Sequence, residues 1–87
     1  MTKEEKTAIM AEFATKEGDV GSPQVQIAVL SGRIKELTSH MQEHKKDYSS
    51  RRGLLTCVNR RRKLLKYLNS KDHSAYLELI KKLGLKR

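Results

Sequence analysis

Apolar residues return every three or four positions through most of this chain, and sustained alternation is nearly absent. That period belongs to amphipathic helices. Ile27, Leu30, Ile34, Leu37, Met41 and His44 fall on one stripe, predicting a helix over about Pro23 to His44. Leu54, Leu55, Val58, Leu65 and Leu68 make a second stripe over about Arg51 to Ser70. Before them, Thr2 and Glu5 have capping-box spacing and Ile9 and Phe13 share a face, which predicts a short first helix over about Lys3 to Lys16. After them, Asp72 can cap a last helix in which Tyr76, Ile80 and Leu83 align and which Gly84 ends. The breaks agree. Glu17 to Ser22 holds two glycines, with Ser22 and Pro23 suited to N-cap and N1, and Lys45 to Ser50 is polar, with a Ser near the next N-cap. The expectation is an all-α protein of four helices. Two long antiparallel helices occupy the middle, flanked by a short, mobile N-terminal helix and a short C-terminal one.

No repeat or composition shift marks a boundary, and 87 residues are one small domain, 1–87. So small a core leaves little room for a cleft. Lys plus Arg number 19 against 10 Asp plus Glu, a net charge of +9. The excess is uneven: Met1 to Pro23 carries −2, so the rest carries +11. A basic field of that size favours a polyanion. Cys57 has no second cysteine for a disulfide or a zinc knuckle, and the charged start has no signal or membrane segment, so a reducing, cytosolic setting is expected.

One catalytic motif occurs. His40-Met41-Gln42-Glu43-His44 fits H-x-x-E-H, in which two histidines hold zinc and the glutamate is the base. A third ligand is missing, His73 lies far along the chain, and non-metal readings are preferred: His44 packing at the end of the stripe, or two helix-surface histidines. No phosphate loop, nucleophile elbow or Cys-His arrangement is present, so no enzyme activity, cofactor or small-molecule substrate is expected.

Gln26, Arg33 and His40, seven apart, form a polar row beside Ile27, Ile34 and Met41. Short groups flank it: Gly21 and Ser22 at one end, Asp47 and Ser50 at the other. Such groups suit RNA 2′-hydroxyls and base edges in a shallow minor groove; a solvated helix flank is an equal reading of the spacing. Arg51, Arg52, Arg60, Arg61, Arg62, Lys63, Lys66 and Lys71 crowd the third helix. Arg60, Lys63 and Tyr67 share one side, a stacking ring beside two cations, unless Tyr67 packs in the core. Arg61 falls near the apolar seam, where it can snorkel. Gly32 and Gly53 within helices suggest close approach by another helix or by a ligand backbone.

The tract His40-x-x-x-His44-Lys45-Lys46-Asp47-x-x-Ser50-x-Arg52-Gly53-Leu54-Leu55, followed by Arg60-Arg61-Arg62-Lys63-Leu64-Leu65-x-Tyr67-Leu68, resembles the bacterial small-subunit (30S) ribosomal protein fifteen family over essentially the whole chain. The resemblance implies a four-helix protein that binds 16S rRNA directly and early, bridging its helices so that the platform can assemble. It implies a three-way junction contact by Gly21, Gln26, Arg33 and Tyr67, and a minor-groove contact by His40, Asp47 and Ser50 at a G-U/G-C motif. His44, Lys45, Lys46, Arg52, Arg60 and Lys63 would add basic support. It also implies contact with large-subunit 23S rRNA in an intersubunit bridge, and neighbouring small-subunit proteins as partners. Where the family commonly has Asp-Thr-Gly-Ser, this chain has Asp19-Val20-Gly21-Ser22, so it lacks the hydroxyl that a threonine would offer to RNA there. The competing class, a small DNA-architectural or membrane-surface protein, fits less well with the acidic first helix and the lack of an intercalating wedge.

Overall fold

The computed structural model describes residues 2–14 and 21–85. Its four helices are α1 (Lys3–Phe13), α2 (Pro23–Glu43), α3 (Tyr48–Lys71) and α4 (His73–Leu83), and the described residues contain no strand. The all-α, four-helix expectation holds, with α2 and α3 as the long central pair.

Each start is made by a short polar side chain that accepts from an otherwise orphaned amide. Thr2 takes Glu5 N–H, Ser22 takes Val25 N–H with Pro23 following, Asp47 takes Ser50 N–H, and Asp72 takes Ala75 N–H. Gly84 closes α4 in the left-handed conformation, φ 68°, which lets Leu85 N–H reach back to Ile80 O at 3.0 Å.

Three boundaries differ from the sequence expectation. α1 ends at Phe13 rather than near Lys16; of the glycine loop, only Gly21 and Ser22 are described, and Val20 lies outside the described residues. His44 is the C-cap of α2 and is exposed, so it does not pack at the end of the stripe. α3 starts at Tyr48, three residues early, with Asp47 and not a serine at its N-cap.

The core lies toward one end. Ile27, Leu68 and Leu79 are buried together, and Phe13, Leu64, Leu65, Ala75, Tyr76 and Leu83 pack against them. Val25 and Ala28 are also buried, outside the predicted stripe. On α2 the last buried residue is Leu30, and on α3 the first is Cys57. Beyond those levels α2 and α3 run on as a two-helix hairpin, giving a molecule 39 Å in its longest extent and 19 Å in its shortest. Arg61 Nη1 donates to Ser31 Oγ at 3.2 Å and ties the pair where the body gives way to the hairpin. This is the seam position at which the sequence places a snorkelling arginine. α1 buries no residue fully. Phe13 and Lys82 dock it: Lys82 Nζ lies 4.3 Å from the Phe13 ring centroid and donates to Glu12 O at 2.8 Å. No described helix is long and apolar enough to cross a membrane.

Candidate RNA interface

The hairpin turn is where local chemistry is densest. Asp47 N–H donates to His44 O at 3.1 Å, closing a turn whose central residues, Lys45 and Lys46, stand exposed. The same Asp47 caps α3, and its carboxylate gathers the neighbouring polar groups. Ser50 N–H reaches Oδ1 at 3.1 Å, Ser50 Oγ donates to Oδ2 at 2.7 Å, and His40 Nε2 lies 2.8 Å from Oδ2. His40, Asp47 and Ser50, singled out in the sequence as one contact region, are therefore a single hydrogen-bonded unit joining α2 to α3. The His40 ring bond, then the Ser50 hydroxyl, then the Ser50 amide hold the Asp47 carboxyl well below the usual carboxylate range.

An ionised carboxylate only accepts, so the proton between His40 and Asp47 belongs to Nε2. The Ser50 proton is likewise directed at Asp47, which leaves Ser50 Oγ lone pairs to offer. A site of this kind suits donors: ribose 2′-hydroxyls and the guanine 2-amino group, the one donor a base pair presents in the minor groove. The His44 ring lies 4.6 Å from that of His40, tilted by 32°. Among the described residues no group of three or more His, Cys, Asp or Glu side chains converges as metal ligands.

Along α2 the polar row continues to the body. Arg33 and Gln26 are exposed, and both line a shallow groove with Arg60 of α3 and Lys6 and Met10 of α1. Gln26 Nε2 donates to Gly21 O at 2.6 Å, which fixes the loop end of the row. Tyr67, 51% exposed, does not pack in the core. It stands on the same flank of α3 as Arg60, seven residues on. The cation measured over its ring is Lys71, with Nζ 5.8 Å from the centroid, and not Arg60 or Lys63, both of which are exposed. Arg52 is exposed near the start of α3. Gly53, nearby, has nothing within 4 Å of the position a Cβ would take, so no helix packs there.

The candidate residues therefore fall into two groups: Gly21, Gln26, Arg33, Arg60 and Tyr67 at the body, and His40, Asp47 and Ser50 at the hairpin tip. Sequence reasoning missed two features of the site. Lys71 lies one turn beyond Tyr67, a spacing that could have revealed it. The His40–Asp47 bond crosses a turn, and neither stripe nor motif encodes it.

A basic, all-helical protein with a hydroxyl, amide and imidazole row and an exposed aromatic among cations has side chains that suit RNA. A model of the family described as ribosomal protein S15 matches residues 6–86. The chain belongs to that family: it is a ribosomal protein of the small subunit, binds rRNA, and is of a structural rather than an enzymatic kind.

Proposed function

We propose that this protein is a primary binder of 16S rRNA that grips a three-way junction and a nearby helical minor groove at once, bridges the RNA helices and helps nucleate the platform. Gly21, Gln26, Arg33 and Tyr67 take the junction, and His40, Asp47 and Ser50 take the minor groove. His44, Lys45, Lys46, Arg52, Arg60 and Lys63 neutralise phosphates around them. It works in the cytoplasm on the small subunit, beside other small-subunit proteins, and reaches large-subunit 23S rRNA through an intersubunit bridge.

The observation that carries this reading is the Asp47-centred unit. Three hydrogen bonds preorganise a carboxylate, a hydroxyl and an imidazole at the tip of a basic protein, an arrangement that phosphate neutralisation alone does not call for. From Gln26 to His40 the row rises about 21 Å along α2, at about 1.5 Å per residue. Affinity then comes from the cations and orientation from the two ends of the row.

The test is filter binding to a minimal RNA holding both elements. His40→Ala and Asp47→Ala are expected to weaken binding through the minor groove and Tyr67→Ala through the junction, each by about tenfold, or roughly 1.4 kcal/mol. Unchanged binding by all three variants would sink the assignment.

A further inference from the structure

Arg60 and Tyr67, the α3 members of the body end of the site, lie on one flank of that helix. Consecutive helical residues turn by about 100°, so residues two apart point about 200° apart. Arg62 therefore faces away from Arg60, and Asn69 away from Tyr67. On that second flank Tyr48, Leu55, Arg62 and Asn69 recur every seven residues, making another continuous row.

Its chemistry is unusual for a solvated flank. Tyr48 is 63% and Leu55 57% exposed, and with Tyr67 they are the exposed large hydrophobics among the described residues. Farther along, α3 and α4 enclose an open groove of about 500 Å³. Half-buried Val58, Leu65 and the Ser31-bonded Arg61 line its inner side, and the exposed Arg62, Lys66 and Asn69 stand around it with half-buried Tyr76. No carboxylate lines it. α3 as a whole has eight cations and no acidic residue. Apolar and aromatic surface, two exposed cations and an amide along one flank make a platform for stacked bases with neutralised phosphates. The concavity suits a splayed, unpaired base rather than the smooth flank of a duplex.

We propose that the outer flank of α3, from Tyr48 to the α3/α4 groove, is a second RNA-binding surface that takes an unpaired strand while the polar row holds its own RNA. Arg62 and Lys66 contact phosphates of the strand. Tyr48 and the edge of Tyr76 take bases, and Asn69, whose Oδ1 is bonded to His73 Nδ1, donates its side-chain amide N–H to a base edge. The choice of RNA over an acidic protein rests on the RNA-binding reading above and on the exposed aromatic and aliphatic side chains between the cations.

The experiment uses the full chain and a fluorescein-labelled decamer of unstructured, mixed-sequence RNA, followed by anisotropy at low salt. The decamer is titrated first alone and then against protein saturated with the two-element RNA. Binding is expected in both cases. The Arg62→Ala/Lys66→Ala variant should bind the decamer about tenfold more weakly, with the slope of log K against log salt reduced by about 1.4, about 0.7 for each single-strand phosphate no longer neutralised. Its binding to the two-element RNA should change less than twofold, and His40→Ala should show the reverse. Displacement of the decamer by the two-element RNA, or wild-type decamer binding by the double variant, would overturn the proposal. So would competition by a glutamate decapeptide at equal concentration. Failure of the two-element RNA alone would overturn the preceding function and leave the decamer result standing.

Discussion

Gly53 stands inside α3 with open space where a Cβ would go. A helical glycine costs about 1 kcal/mol relative to alanine, so its presence needs a reason other than packing. The register supplies one. Ser31 is bonded to Arg61; His40 lies nine residues beyond the first and Gly53 eight before the second, so in antiparallel helices they share a level. The bare backbone thus sits at the level of the Asp47-centred unit, where the proposed grip would bring an RNA strand. Gly53→Ala should raise the thermal stability of the free protein by up to about 1 kcal/mol and yet weaken binding to the two-element RNA. Calorimetric unfolding and filter binding on the same preparations check both signs, and a gain in stability with unchanged binding would remove Gly53 from the interface. The sequence shows the glycine as out of place and leaves two explanations, helix or ligand approach. Only the position of its neighbours removes the first. The same limit hides Val25 and Ala28, which are buried although they lie outside the stripe read along α2.

At the scale of an element, α3 depends on Asp47 more than its stripe reveals. The polar run Lys45 to Ser50 offers several capping residues, and periodicity cannot choose among them because it starts only with the apolar positions. Asp47 prevails by combining tasks: it caps Ser50, accepts the Ser50 hydroxyl and holds His40 across the turn. The hairpin tip has no buried residue to compensate for its loss. Asp47→Ala should therefore raise amide exchange at the tip, in the first turn of α3 and the last of α2, and leave the amides around Ile27, Leu68 and Leu79 protected. The acid limit follows from the depressed pKa. Asp47 contributes fully above the ordinary aspartate value of 3.8 and loses its contribution as pH falls through its lower folded value. Tip protection in the wild type should be flat from pH 5 to 8 on this account and decline only in strong acid, whereas in Asp47→Ala that acid-dependent component should vanish. Hydrogen exchange followed from pH 8 down into strong acid reads both. For α1 the capping box shows the start and Phe13 the buried face; docking by Lys82 joins residues 70 positions apart and leaves no local trace.

At the scale of the whole molecule, the separation of core and tip is the geometry that the proposed two-ended grip needs. Among the described residues, all fully buried ones lie at or below the level of Leu30 and Cys57, so the body stabilises the fold while the hairpin carries the Asp47-centred unit outward. If function resides in that spacing, length can be changed without touching a contact. Repeating one heptad after Glu36 in α2 and one after Thr56 in α3 would move His40, Asp47 and Ser50 about 10 Å farther from Gln26, Arg33 and Tyr67. Seven residues fall only about 20° short of two full turns, so both ends would still face nearly the same way. RNA fragments carrying only the junction or only the minor-groove motif should bind the lengthened protein as they bind the wild type. The two-element RNA should lose the gain from simultaneous engagement, roughly a hundredfold or more, because a rigid mismatch sends the effective concentration of the second site toward zero. Gel-shift titrations with the three RNAs decide it: equal binding of the two-element RNA by both lengths would mean that the ends act independently, and that the hairpin does not measure a distance.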